Sequence, residues 1–318
     1  MKTRSLVFLS GEKTSIPAAE ARALFLSYDP TTEFEFPEPR VIIARTQADP
    51  ATVGSRVAFS RRVGLLVSDP SEISEVVKGK AVRVRTFSIA GDNPGPEPGT
   101  LLKGLDVAVD LDNPEYELTV IQGQERYLAL TRPSWMRQGW STRRPRRRPF
   151  FHPSAIFPKL SRALVNLTRC REGQLFMDPF AGTGSIAIEA AEVGAAVISC
   201  DLSPSMVKGS LQNMKAFRQS WLGVVRCDSR LLPVAGADAV ATDIPYGRAS
   251  STMGRGVAVV LEATLSSMEA VLKSDSRMVL MHPANIEVEP GNEWAVEEDH
   301  ALYVHKLLTR AITVLRRR

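Results

Sequence analysis

Leu175-Phe176-Met177-Asp178-Pro179-Phe180-Ala181-Gly182-Thr183-Gly184 is the stretch that decides the fold. A short apolar run ends in a carboxylate, two glycines follow in a turn, and the small residues of Ser185–Val193 then fit a helix. Strand, glycine turn and helix in that order make a nucleotide-binding arrangement. Glycine lets the chain turn tightly and approach a ligand with no Cβ in the way. Gly182, Gly184 and Ala187 also satisfy the dinucleotide spacing, and Asp201 lies 19 positions past Gly182, at the end of the next apolar run. A carboxylate there accepts from ribose hydroxyls in either case, so the loop alone leaves a dinucleotide and S-adenosylmethionine both open. No G-x-x-x-x-G-K-[ST] occurs, and no P-loop is expected.

Outward from this loop the chain alternates. Ala195–Asp201 reads as a strand, 204–216 as a helix, and Trp221–Cys227 and Ala237–Asp243 as strands. Val257–Lys273 reads as a long amphipathic helix and Arg277–Met281 as another strand. Such alternation predicts a parallel sheet covered on both faces. The end breaks the pattern: Ala301–Val304 and Ala311–Leu315 follow each other with no helix between them, predicting a terminal antiparallel hairpin. Ahead of the loop, Ile156, Leu160, Ala163, Leu164 and Leu167 recur at helical spacing and predict one apolar helix face.

Asp243-Ile244-Pro245-Tyr246-Gly247 closes the fourth strand of this unit. Open α/β sheets bind ligands at that carboxyl edge. An exocyclic amine on a base is a weak nucleophile because its lone pair is delocalised into the ring. The Asp243 carboxylate and the Ile244 carbonyl, each accepting one amine hydrogen, can aim that lone pair at a methyl group. Pro245 stiffens the turn, and Tyr246 is positioned to stack on the base. Asp, Pro and Gly are also ordinary turn residues, so the segment alone would also fit a plain strand-to-loop connection.

Three features favour a methyl donor over a dinucleotide. Asp178 at the strand tip would repel a pyrophosphate and attract an ammonium. The terminal hairpin is foreign to dinucleotide folds. Asp228, after the third strand, is placed to accept from an adenine amine. Asp178, Phe180, Gly182, Gly184, Asp201 and Asp228 are therefore the expected cofactor residues.

Residues 1–135 read as a mixed α/β module. Its expected elements are strands at Leu6–Leu9, Arg40–Ala44, Val82–Phe87, Val107–Leu111, Leu118–Ile121 and Tyr127–Leu130, a helix at Pro17–Leu26, and a Gly- and Pro-rich loop over 91–99. Residues 51–150 hold 16 Lys and Arg against 11 Asp and Glu, whereas 151–318 hold 18 against 17. A polyanion would then be gripped away from the chemical site. Arg143, Arg144, Arg146, Arg147 and Arg148 lie in 136–149, read as an interdomain linker whose guanidinium groups contact phosphates.

The three cysteines form no C-x-x-C and lack a histidine at ligand spacing, so no metal is expected. His152, beside a proline, reads as a packed or capping residue. No stretch approaches the ~20 apolar residues of a bilayer span, and a cytoplasmic protein is expected.

Residues 150–318 resemble the amino-group methyltransferases, whose clamp motif reads D/N-P-P-Y; Ile244 here replaces the first proline. The whole chain is similar to the archaeal tRNA guanosine-10 N2-methyltransferases. That resemblance is carried by Leu9-Ser10-Gly11-Glu12, Asp110-Leu111-Asp112-Asn113-Pro114-Glu115, Arg148-Pro149-Phe150-Phe151-His152-Pro153 and Asp243-Ile244-Pro245-Tyr246-Gly247-Arg248. It implies a ferredoxin-like lead domain over 1–50, an RNA-binding THUMP domain over 51–135, and a Rossmann-like methyltransferase domain over 150–318. It also implies that Phe150–Pro153 lies over the cofactor.

The expectation is thus an S-adenosylmethionine-dependent enzyme adding one or two methyls to guanosine N2 of tRNA, at position 10. It would act as a monomer, with a small partner protein left open. Two alternatives stand: the same clamp on adenine or cytosine of ribosomal RNA or DNA, and a non-catalytic RNA-binding scaffold.

Overall fold

A computed structural model describes residues 2–12, 14–89, 96–136, 138–217, 221–232, 234–245, 256–305 and 308–318. The chain divides into two compact units, 1–13 with 17–138, and 14–16 with 139–318.

The first unit is built on one sheet of eight strands: β1 (Thr3–Leu9), β2 (Glu33–Glu38), β3 (Val41–Thr46), β4 (Ser60–Val67), β5 (Lys80–Ser88), β6 (Val107–Val109), β7 (Tyr116–Gln122) and β8 (Arg126–Thr131), in the order β2-β3-β1-β4-β8-β7-β5-β6. Its helices are α1 (Ile16–Tyr28), α2 (Pro50–Arg56), α3 (Ser74–Val77) and α4 (Pro98–Leu102). β4 pairs antiparallel with β1 on one side and with β8 on the other. The stretches 1–50 and 51–135 therefore share a sheet. They also share apolar clusters: Leu24, Phe25 and Ile42 pack with Val53 and Val63, and Leu6, Phe8 and Ile43 with Ile121 and Ala129, while Val77, Val82, Leu118 and Leu130 form a cluster within 51–135. Of the loop expected over 91–99, residues 91–95 lie outside the described residues, and Pro98 already opens α4.

A buried carboxylate organises part of this unit's basic charge. Glu117 accepts from Arg62 and Arg83, with Arg83 Nε at 2.8 Å, and from Thr119 Oγ1 at 3.0 Å. Burial works against its charged form, yet the Arg62 and Arg83 guanidinium groups outweigh it and hold the carboxyl below its usual range. Two of the surplus cations in 51–150 are thus engaged internally.

The second unit carries a seven-stranded sheet. Its strands are β9 (Leu175–Asp178), β10 (Ala196–Asp201), β11 (Gly223–Arg226), β12 (Ala237–Asp243), β13 (Leu272–Pro283), β14 (Trp294–His305) and β15 (Leu308–Arg317). They run in the order β11-β10-β9-β12-β13-β15-β14. The five strands from β11 to β13 are parallel, and β15 joins antiparallel to β13 and β14. Helices α5 (Pro158–Leu167), α6 (Ser185–Glu192), α7 (Pro204–Ala216) and α8 (Val257–Val271) complete it. This is the parallel, Rossmann-like sheet with the terminal antiparallel hairpin that the sequence predicts. Apolar side chains of β9, β12, β13 and α8, among them Met177, Val240, Leu265 and Met278, are fully or nearly fully buried in its core. Each such burial contributes roughly 1.5–3 kcal/mol.

Two expectations shift. Ile156 stands outside the helix, because Pro158 at its first position sets the start later than the apolar spacing suggests. Residues 139–149 belong to the second unit instead of linking two units. Two of their five arginines have partners there: Arg143 Nε lies 2.7 Å from Glu189 Oε1, and Arg148 Nη1 lies 2.6 Å from Ser185 Oγ.

Candidate active site

β9 lies inside the sheet, third from one edge, and the chain moves outward to β10 and β11 before crossing back to β12 on the other side of β9. Ligands bind where the strand order reverses, beyond the carboxyl ends of the strands. A cleft of about 500 Å³ opens there. Its walls include Asp178, Phe180, Gly182, Asp201, Asp243 and Arg310. Three carboxylates thus end three neighbouring parallel strands, β9, β10 and β12.

The glycine turn adopts the backbone that the sequence requires. Gly184 has φ +79°, a left-handed conformation, and caps α6; a Cβ there would also stand 2.6 Å from Ser210 Oγ. Gly182, at φ +51°, turns its N–H onto Asp201 Oδ2 at 2.8 Å. Asp201 Oδ1 accepts from Ser203 N at 2.9 Å, which fixes the carboxylate between the loop and α7.

Asp178 is buried. Its Oδ1 accepts from Thr242 Oγ1 at 2.7 Å and from Phe180 N at 3.2 Å. Burial pushes its carboxyl up to about 7, with the charges of Asp201 and Asp243 adding to the rise and the two hydrogen bonds opposing it. Burial also raises Asp201, against the backbone N–H groups of Ser203 and Gly182. Asp243 is pushed up to about 7 by burial, against the pull of Arg310. Arg310 Nη1 lies 3.3 Å from Asp243 Oδ2, while Asp243 Oδ1 is buried with no hydrogen-bond partner among the described residues. Three mutually repelling carboxylates and one buried bare oxygen fit a cationic ligand and an amine donor. A ligand with an ammonium and a sulfonium matches that charge.

Ile244 is buried, and its N–H is held by Met281 O at 2.9 Å. This bond continues the β12–β13 pairing one residue past the strand and fixes the start of the turn. Pro245 lines the same cleft. Tyr246 lies outside the described residues. Asp228 is not among the cleft's lining residues. Arg230, two positions on, folds back and grips its carboxylate with bonds of 3.0 and 2.6 Å.

The segment over 148–153 is anchored firmly. Asn213, buried on α7, accepts from Phe150 N and donates to Phe150 O, both at 2.9 Å, and its Nδ2 also lies 2.9 Å from Thr183 O. Gly209 allows the Phe150 ring to lie directly on α7: a Cβ there would meet the ring at 2.1 Å. His152 lines the cleft and bonds Ser154 Oγ at 2.8 Å, a local capping contact.

The five arginines divide. Arg143 and Arg148 are buried, and burial lowers Arg148 to about 10. Arg143 shares Glu189 with Arg162, whose Nη2 lies 2.8 Å away, and both guanidinium groups lie over Trp140. Buried cations engaged inside the fold are not presented to a polyanion, whereas Arg144, Arg146 and Arg147 are exposed. Sequence reasoning missed Arg310, Thr242 and Asn213. None lies in a recognisable motif; each acts through a partner at least 30 positions away.

Comparison with known proteins agrees with this geometry. The model of the UPF0020 family, RMKL-like methyltransferase domain, matches residues 145–310. The chain is 27% identical to a tRNA (guanine(10)-N2)-dimethyltransferase of Methanothermobacter thermautotrophicus, over 98% of this chain and 99% of that protein. It is 34% identical to the protein of the same name from Methanocaldococcus jannaschii, over 57% of this chain and 52% of the relative. In fold it resembles the crystal structure of TrmN from Thermus thermophilus, with a TM-score of 0.53 and 18% identity, covering 99% of this chain and all of the other.

Proposed function

The chain belongs to the family of RMKL-like methyltransferases, and from that membership we propose that it methylates the N2 amine of a guanosine in tRNA, at position 10, using S-adenosylmethionine. Relatives named for that reaction, one of them matched along nearly its whole length, support the substrate. One observation in the site carries the reading: the buried Oδ1 of Asp243, with no hydrogen-bond partner among the described residues, stands in the same cleft as Asp178 and Asp201.

When bound, the cofactor supplies an electrophilic methyl on a sulfonium. Asp178 would hold its ammonium and Asp201 its ribose hydroxyls, with Phe180, Gly182 and Gly184 forming the loop against it. Asp243 Oδ1 and the Ile244 carbonyl would accept the two amine hydrogens of the target base, which must leave its stack to reach them. Holding the nitrogen lone pair on line removes most of the orientational barrier. As the new N–C bond forms, the nitrogen releases one proton, and Asp243 is the acceptor at hand. In this reading Tyr246 stacks on the base, while Arg144, Arg146 and Arg147 and the first unit hold the RNA. The first unit corresponds to the ferredoxin-like and THUMP parts, and the setting is the cytoplasm.

The test is transfer of labelled methyl from S-adenosylmethionine to an unmodified tRNA transcript, followed by nucleoside mass spectrometry. N2-methyl- or N2,N2-dimethylguanosine is the expected product, and the ratio of the two counts the methyls. Label in ribosomal RNA or DNA but not in tRNA would move the clamp to another base. No label in any nucleic acid would favour a scaffold.

A further inference from the structure

The terminal hairpin does more than close the sheet. It delivers a cation to the clamp. Arg310 lies on β15, where the antiparallel register sets it opposite Pro283 of β13. Its side chain is mostly buried, with Nη1 3.3 Å from Asp243 Oδ2 and 3.4 Å from Met281 Sδ. The other oxygen of Asp243 is buried and has no hydrogen-bond partner among the described residues.

We propose that Arg310 is a positioning residue for the amine clamp: it occupies Asp243 Oδ2 with a positive charge and leaves Oδ1 as the oxygen that accepts from the base. The inference rests on the amino-group transfer reading above.

The surroundings of Asp243 make this cation matter. Asp178, at the end of β9, repels it. Asp201, at the end of β10, adds negative charge to the same cleft, with its oxygens held by Gly182 and Ser203. β13 contributes the Met281 thioether and main chain. His282 beside it is turned away, onto Thr313 Oγ1 at 3.0 Å and the Pro283 carbonyl. Against two carboxylates and a thioether, the guanidinium is what favours the ionised clamp. A protonated Asp243 would present an O–H donor where an acceptor is needed, and would hold the amine wrongly.

The geometry matters as well as the charge. An unpaired carboxylate could offer either oxygen and rotate freely about χ2. With Oδ2 tethered to β15, Oδ1 keeps one position, and the amine nitrogen keeps one line of attack.

The experiment is methyl transfer to the tRNA transcript as a function of pH, for wild type, R310M and R310K. The acidic limb of kcat/KM reports the free enzyme's essential base. In R310M that limb is expected to move up by about one pH unit or more, the size of effect an adjacent opposite charge has on a carboxylate. R310K, which keeps the charge, is expected to return the limb towards its wild-type position. A purely structural loss would lower the rate equally at all pH values, with no rescue by Lys. That pattern, or coincident limbs in wild type and R310M, overturns the inference. Thermal unfolding monitors integrity, and if R310M does not fold, R310Q carries the same comparison. A wild-type protein that methylates no base amine removes the underlying reading and this inference with it. An active wild type with an unmoved limb removes only the inference.

Discussion

Thr242 donates a 2.7 Å hydrogen bond to Oδ1 of Asp178, across 64 positions of sequence. The bond joins the tip of β9, which carries the glycine loop, to the residue just before the clamp on β12. Both residues are buried, and the strands are directly paired through Val240 and Met177. The glycine loop and the Asp243 turn are therefore one polar construction, set by sheet register. This Thr also opposes the rise in the Asp178 pKa, so it helps keep the carboxylate available for a cation.

Asp178 should cost stability at neutral pH. Its carboxyl rises from 3.8 unfolded to about 7 folded, so the folded state favours the protonated form. Stability present below about pH 4 is then lost as pH rises to about 7. D178N keeps an oxygen for Thr242 and Phe180 but carries no charge. Urea unfolding is expected to show it more stable than wild type at pH 8, on the order of 1–3 kcal/mol, with the difference vanishing near pH 4. S-adenosylmethionine affinity should fall in the same variant. A D178N protein less stable than wild type at pH 8 would refute the account.

Asp243→Ala removes the bare oxygen and the partner of Arg310 but leaves the Ile244 carbonyl. Transfer to tRNA is expected to fall by roughly 10²-fold or more, the range for losing a positioned proton acceptor. Isothermal titration should show cofactor binding largely kept, because Asp178 and Asp201 remain. Substantial residual turnover would sink the clamp.

Legibility in the sequence followed the range of the interactions. The glycine turn, and Asp178, Asp201 and Asp243 at strand tips, were readable because a strand's apolar run, its terminal carboxylate and the turn after it are contiguous. The hairpin was readable from two apolar runs without an intervening helix. Arg310 was not, since its meeting with Asp243 depends on the antiparallel register of β15 and spans 67 positions. The run of five arginines misled for the same reason: nothing local shows that Glu189, 46 positions beyond Arg143, waits on α6. The grip of Arg230 on the Asp228 carboxylate, two positions apart, is a side-chain contact that the run of residues does not announce.

Gly209→Ala should displace Phe150. Its new Cβ would lie 2.1 Å from the ring, on helix backbone that has no room to retreat. Overpacking of this kind costs about 1–3 kcal/mol. Because Asn213 still grips the Phe150 main chain, the strain falls on the ring, and F150A should relieve it. Unfolding of G209A, F150A and the double variant is expected to show clear non-additivity, with the double less destabilised than the sum. Additive effects would mean that the ring does not rest on Gly209.

The arginine run should separate by experiment into structure and binding. Arg143 is buried against Glu189 and Glu192, and its loss leaves Arg162 as the direct ion-pair partner of Glu189 among the described residues. Removing one member of such a buried set costs about 3 kcal/mol, so R143A should lower the unfolding midpoint clearly. Arg144, Arg146 and Arg147 are exposed, and alanine at any of them should leave stability within about 0.5 kcal/mol. Each phosphate contact removed should instead flatten the salt dependence of tRNA affinity, by about one in the log–log slope. The two measurements separate the roles, since a buried ion pair has no counterion to release and an exposed phosphate contact has little fold to stabilise. Unchanged salt slopes in all three exposed variants would place RNA contact elsewhere on the chain and leave this segment a purely structural role.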